Sequence, residues 1–214
     1  MNDMVEIGGE VIMGAKNISE IIVNNNGFQA IALLMGLSGY SLRDLKGKFN
    51  LGKFREKFKK EFPNGTDTEE KNKILSDCFI ELEDYIKDNI NFDDSVFEKI
   101  TDVLINGLKK EDILTREYIG TLKQLTWLEL DVFMQIASIK EFRTNYSNSS
   151  SDMLIREIAK LLTLKGCQYP QELLIRSIYK LENLLLIAKP VLWNKKILLD
   201  SVFGIELNNR LTGL

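Results

Sequence analysis

Apolar side chains recur at helical spacing along nearly the whole chain. Val5, Ile12, Ile18 and Ile22, with Val11 and Ala15 between them, predict a first helix that ends at "NNNG" (Asn24 to Gly27), and Phe28 to Leu37 predicts a second. Between Ser41 and Phe62 the pattern changes phase. Leu42, Leu45 and Phe49 share one helical face, whereas Leu51, Phe54, Phe58 and Phe62 lie roughly opposite at about 100° per residue, with Asn50 and Gly52 as the expected break. After "PNG" (Pro63 to Gly65), Leu75, Cys78, Phe79, Leu82, Ile86 and Ile90 line one side of a long helix. Asp77, Glu81, Asp84 and Asp88 form a stripe on the other.

"DDSVFEKITDVLINGL" offers Asp93, Asp94 or Ser95 as an N-cap, an inner face of Val96, Ile100, Val103 and Leu104, and Gly107 as a stop. "TREYIGTLKQL" follows with Ile119, Leu122 and Leu125. In "TWLELDVFMQIASI", Thr126 and Glu129 have capping-box spacing, and Leu130, Phe133 and Ala137 are expected inward. A polar loop, "NYSNSSS", leads to the helix "DMLIREIAKLL". The turn "GCQYP" then leads to "QELLIRSIYKLENLLLI", with Leu174, Ile178, Leu181 and Leu185 apolar-side. Short apolar runs in "KPVLWNKKILL" flank a polar turn at Asn194 to Lys196 and predict a β-hairpin. Three helices and a hairpin are the order of a winged helix-turn-helix. The expectation is therefore a mainly α protein: an N-terminal helical bundle over residues 1–121, then a winged helix-turn-helix-like subdomain with a short β-hairpin over 122–214.

Composition agrees, since 214 residues with 44% hydrophobic content suffice for one sizeable core or two small ones, and only three prolines interrupt helices. Absence of histidine excludes Ser-His-Asp and Cys-His nucleophile systems and His-containing zinc or di-iron sites. Cys78 and Cys167 belong to no C-x-x-C pair, and Cys78 falls on an apolar helix face, so buried free thiols and a reduced, cytoplasmic setting are expected. There is no Walker sequence, and "GGEVIMG" lacks dinucleotide-turn spacing. The reading is thus of a protein that is not an enzyme, with no catalytic residues, metal or cofactor. No basic n-region precedes an apolar run at the N-terminus, and the longest nearly apolar stretch, Ala30 to Leu37, falls short of the ~20 residues a spanning helix needs.

The overall net charge of −3 conceals strong sorting. Residues 41–62 carry 8 basic and 3 acidic side chains, 63–121 carry 7 and 15, and 122–214 carry 12 and 9. The stretch "LGKFREKFKKEF" (Leu51 to Phe62) is a basic amphipathic segment whose Lys53, Lys57 and Lys60 lie opposite its phenylalanines. Three uses remain open for it: pairing with or facing solvent beside the acidic stripe, neutralising phosphates, or meeting a membrane or partner.

"YIGTLKQLTWLELDVF", "SIYKLENLLLI" and the terminal "LNNRLTGL" resemble the Abi-alpha-like family of uncharacterised bacterial and phage proteins. In that family a helical region precedes a winged-helix-like end. The resemblance spans three short patches of about the last hundred residues, and departs at Leu184 to Leu186, where the family has Leu-Gly-Leu. It implies a role in phage-host conflict and carries no catalytic residues.

On the expected recognition helix, Glu172, Arg176, Tyr179, Lys180 and Asn183 face outward, and the wing adds Trp193, Lys195 and Lys196. Trp193 is expected to be partly buried beneath the wing. A protein partner is the favoured reading of this surface, DNA a further one, with peripheral membrane contact and homo-oligomerisation open. The alternative to a winged-helix binding protein is a membrane-directed abortive-infection effector that uses Met1 to Phe62.

Overall fold

The computed structural model describes Ser19, Ile22, Val23 and residues 45–87, 92–139, 141–146 and 149–213. The helix foreseen over Phe28 to Leu37 lies outside the described residues, as do most of the first helix, Leu42, Ile90 and Asp88. The chain forms two compact units. Of the described residues, those up to Asp94 belong with Gly107–Ile119, and Ser95–Asn106 belong with those from Gly120 onward.

In the first unit, α1 (Leu45–Glu61) runs without interruption through Asn50 and Gly52, where a break was expected. A Cβ at Gly52 would meet nothing within 4 Å, so this glycine serves no close approach and costs the helix only about 1 kcal/mol relative to alanine. Burial of Phe54, Phe58 and Phe62 outweighs that cost, at about 1.5–3 kcal/mol for each side chain removed from water. Their rings stack along the helix, and Phe54 meets Phe79 of α2 (Glu69–Lys87) edge-on at 6.1 Å between centroids. Pro63 to Gly65 make the turn between the helices, with Gly65 at φ 81°. Thr68 accepts the Lys71 N–H at 3.2 Å where α2 starts. Leu75, Cys78, Phe79, Leu82 and Ile86 are all buried, as their spacing predicts.

Gly107 is not a stop. Helix α3 (Asp94–Lys110) continues through it, and a Cβ there would fall 2.0 Å from Thr115 Oγ1. The missing side chain lets α3 approach the start of α4 (Thr115–Leu122), where Thr115 is fully buried. Val96, Ile100, Val103 and Leu104 are fully buried on the expected face.

The second unit builds on α5 (Trp127–Ser138), opened by the expected capping box. The Glu129 N–H donates to Thr126 Oγ1 at 3.4 Å, and the Thr126 N–H donates to Glu129 Oε2 at 2.8 Å. Leu130 and Phe133 point inward, but Ala137 is exposed and Ile136 takes the buried place. A short strand that the sequence pattern missed, β1 (Phe142–Arg143), precedes α6 (Ser151–Leu164), which is capped by Ser150. Helix α7 (Gln171–Asn183) packs against both α5 and α6.

Leu174, Ile178 and Leu181 lie on the buried face of α7. Leu185 does not, because the helix has already ended: Leu185 is left-handed at φ 59°, and Leu186 and Ile187 turn into the core in its place. The hairpin consists of β2 (Val191–Trp193) and β3 (Lys196–Leu198), and β3 lies centrally in an antiparallel sheet of order β1-β3-β2. Its two-residue turn has both Asn194 and Lys195 left-handed, as a type I′ turn requires. A final helix, α8 (Val202–Thr212), follows Ser201 as N-cap. It crosses the chain at Leu186 so closely that a Cβ on Gly204 would lie 1.8 Å from the Leu186 carbonyl oxygen.

Candidate binding surface

Register decides what the hairpin shows to solvent. Leu192 opposes Ile197, which opposes Phe142, and Ile197 and Phe142 are buried. Alternation therefore turns Val191, Trp193, Lys196, Leu198 and Arg143 to the other face of the sheet. Trp193 is 67% exposed, Val191 53% and Leu198 41%. The expected partial burial of Trp193 is overturned, since on a three-residue strand its parity is fixed by Leu192, the neighbour that faces the core side.

A separate groove of about 380 Å³ is lined by Leu198 and Ile205 together with Phe133, Ile136, Phe142 and Ile187. Val202, 81% exposed, lies one turn before Ile205 on α8. Leu185, 69% exposed, adjoins the start of that helix, where its carbonyl accepts from Ser201 Oγ. Leucine at φ 59° and lysine at φ 62° occupy positions where glycine would avoid about 1–2 kcal/mol of strain each.

The polar candidates divide into two groups. Lys180 Nζ lies 2.6 Å from Glu129 Oε2, the carboxylate already engaged in the capping box of α5. The Tyr179 hydroxyl donates to Asp152 Oδ1 at 2.8 Å, a hydrogen bond that raises its pKa above the ordinary phenol value. Lys196 pairs with Glu141, which also holds Arg143, and hydrogen bonds from these two cations keep the Glu141 carboxyl below the usual carboxylate range. Arg176, Asn183 and Lys195 are exposed and form none of these ties. Neither Glu141 nor Arg143 was singled out by the sequence, because a two-residue strand leaves no periodicity to detect.

In the first unit, Lys53 and Lys60 are exposed and Lys57 is half-buried. The opposite face of the same helix, Phe54, Phe58 and Phe62, is occupied by core contacts. Of the acidic stripe, Glu81 pairs with Arg116 at 3.1 Å, and Glu61 at the end of α1 pairs with Lys109 at 2.7 Å. The Lys109 hydrogen bond is the main cause that lowers the pKa of Glu61. Both cysteines are free and buried, and burial pushes the Cys78 thiol upward, away from nucleophilic use.

Among the described residues there is no cluster of His, Cys, Asp and Glu able to hold a metal ion, and no helix long and apolar enough to cross a membrane. Comparison with known protein families, with curated proteins and with solved structures finds no match for this chain.

Proposed function

We propose that this chain is a non-enzymatic binding protein that works through protein contact at its C-terminal end, and that residues 122–214 are a winged helix-turn-helix-like subdomain. The element order helix, strand, helix, helix, hairpin, with β3 between β1 and β2, supports the winged reading. α7 is then the recognition helix and the hairpin the wing. One observation carries the functional reading: the outward hairpin face presents Val191, Trp193 and Leu198 together, a side-chain set suited to an apolar partner surface.

DNA contact is the weaker reading of the same surface. Three of its seven polar or aromatic candidates, Tyr179, Lys180 and Lys196, are already bonded to carboxylates of the chain itself, and each would have to surrender that partner to meet a phosphate. Of the other candidates only Arg176 and Lys195 carry positive charge, too few for strong phosphate neutralisation. The resemblance of the C-terminal patches to the Abi-alpha-like family supports placing such a binder in a phage-bacterial conflict system.

A photoreactive amino acid at position 193, activated in cells, tests the reading. A protease-sensitive, nuclease-resistant adduct is expected. A nuclease-sensitive adduct would transfer the surface to DNA, and no adduct of either kind would remove the proposal.

A further inference from the structure

We propose that the partner seated on this face is an acidic segment of another protein, one that sets apolar side chains beside a pair of carboxylates. The inference rests on the reading of the hairpin as a protein-contact surface and adds the chemistry of the partner.

Register sorts the face into two rows. Val191 lies directly opposite Leu198, and nearer the turn Trp193, Lys196 and Arg143 lie side by side across the three strands. The rows are about 7 Å apart, two residues at ~3.3 Å each, and the three strands span about 10 Å. Lys195, exposed in the turn, adds a further cation at that end. The base of the face is therefore apolar, and its tip is basic with Trp193 at one side.

Charge complementarity names the occupant. Glu141 bonds both Lys196 and Arg143, so its single negative charge offsets only one of them. Lys195 makes no ion pair among the described residues. The tip thus keeps two positive charges, whereas exposed Lys189 and Asp200, flanking the base, offset each other. Two uncompensated cations beside an apolar row match two carboxylates beside apolar side chains, and they repel a basic partner. Nucleic acid fits less well, because two charges neutralise few phosphates and Val191 and Leu198 offer a backbone nothing to bond. An anionic bilayer shares the charge and not the shape. The apolar residues lie on the flat of the sheet, behind a turn of Asn194 and Lys195 that would enter the lipid first.

Photocrosslinking from position 193 in cells, followed by mass spectrometry of the crosslinked peptide, tests the proposal. The captured peptide is expected to carry net negative charge together with apolar residues. Synthesised with a fluorescein label, it should bind the full chain in an anisotropy titration, with a Kd that rises as salt is added. Lys195→Gly suits the left-handed turn and should weaken binding severalfold by loss of charge. Arg143→Gln with Lys195→Gln cancels the surplus charge and should weaken it by about tenfold or more. Glu141→Gln frees both cations and should tighten it. Circular dichroism checks that each variant remains folded. A captured peptide of neutral or basic character, or a Kd indifferent to these changes, would overturn the acidic partner and leave the protein-contact reading standing. A nuclease-sensitive adduct, an adduct to phosphatidylserine in place of protein, or no adduct at all would overturn both.

Discussion

Helix α1 and the C-terminal hairpin are both short amphipathic elements, yet they dispose of their apolar residues in opposite ways. The phenylalanines at 54 and 58 in α1, and Phe62 just after it, are buried against α2 and against one another, while Lys53 and Lys60 face outward. In the hairpin Ile197 alone is deeply buried, while valine, tryptophan and leucine face solvent and one cation is bound to a carboxylate of the same sheet. An amphipathic pattern by itself therefore does not say whether a surface is used for folding or for contact. What separates the two regions is the fate of the apolar half. Basic charge drew attention to α1, but its apolar half already belongs to the core, whereas that of the hairpin has no cover among the described residues.

The largest expected effect probes the interior on which the hairpin rests. Leu181 is fully buried on α7, so Leu181→Asp places a carboxylate in an apolar core and should destabilise the second unit by more than about 3 kcal/mol, seen as a lost or strongly lowered thermal transition. A melt matching the parent would mean that α7 does not face as described.

Two glycines sharpen the contrast with opposite signs. Gly204→Ala drives a methyl group into the Leu186 carbonyl, a backbone atom that cannot swing aside, and should cost about 1–3 kcal/mol by urea denaturation. Gly52→Ala adds a methyl group in open space within α1 and should stabilise by up to about 1 kcal/mol. Equal effects at the two sites would deny the close crossing of α8.

Changing Lys53, Lys57 and Lys60 together to Glu leaves the apolar face of α1 untouched. A modest loss is expected, within about 0–1 kcal/mol per charge and shrinking as salt is added. A large, salt-independent loss would show that these lysines are part of the packing.

The smallest effect concerns pH at the sheet. Hydrogen bonds from Lys196 and Arg143 lower the pKa of Glu141 from 4.5, so their contribution is present at pH values above that figure and disappears as acidification passes through the lower folded-state value. Amide shifts of Phe142, Arg143 and Lys196 followed by NMR should move only below pH 4.5. Movement at a higher pH would show that the carboxylate is not held by these cations.

Much of this fold is legible in the order of apolar residues. The helix faces from Leu75 to Ile86 and from Val96 to Leu104, the Thr126 capping box and the hairpin all follow from spacing and turn chemistry. Where sequence reasoning went wrong, the deciding feature lay outside the local apolar pattern. Gly107 and Gly52 look alike locally, and only Thr115 makes the first a packing glycine and leaves the second a tolerated helix residue. Leu185 continues the apolar repeat of α7, but the helix stops before it and the core is filled by the next two residues. Trp193 reads as a residue to be covered, and it is the pairing of its strand with β3 that turns it outward. The candidate surface was half legible for the same reason. Its outward residues were named, but the carboxylates that engage Tyr179, Lys180 and Lys196 lie 27, 51 and 55 positions away.

The claim that the hairpin's apolar face serves contact and not folding is tested most directly by the unfolding free energy of Trp193→Ala. It should be measured by urea denaturation at low protein concentration, where self-association adds nothing. The account predicts a value within about 0.5 kcal/mol of the parent, as for an exposed side chain with no structural partner. A loss of about 3 kcal/mol or more, the range for a core aromatic, would contradict it and return Trp193 to the interior.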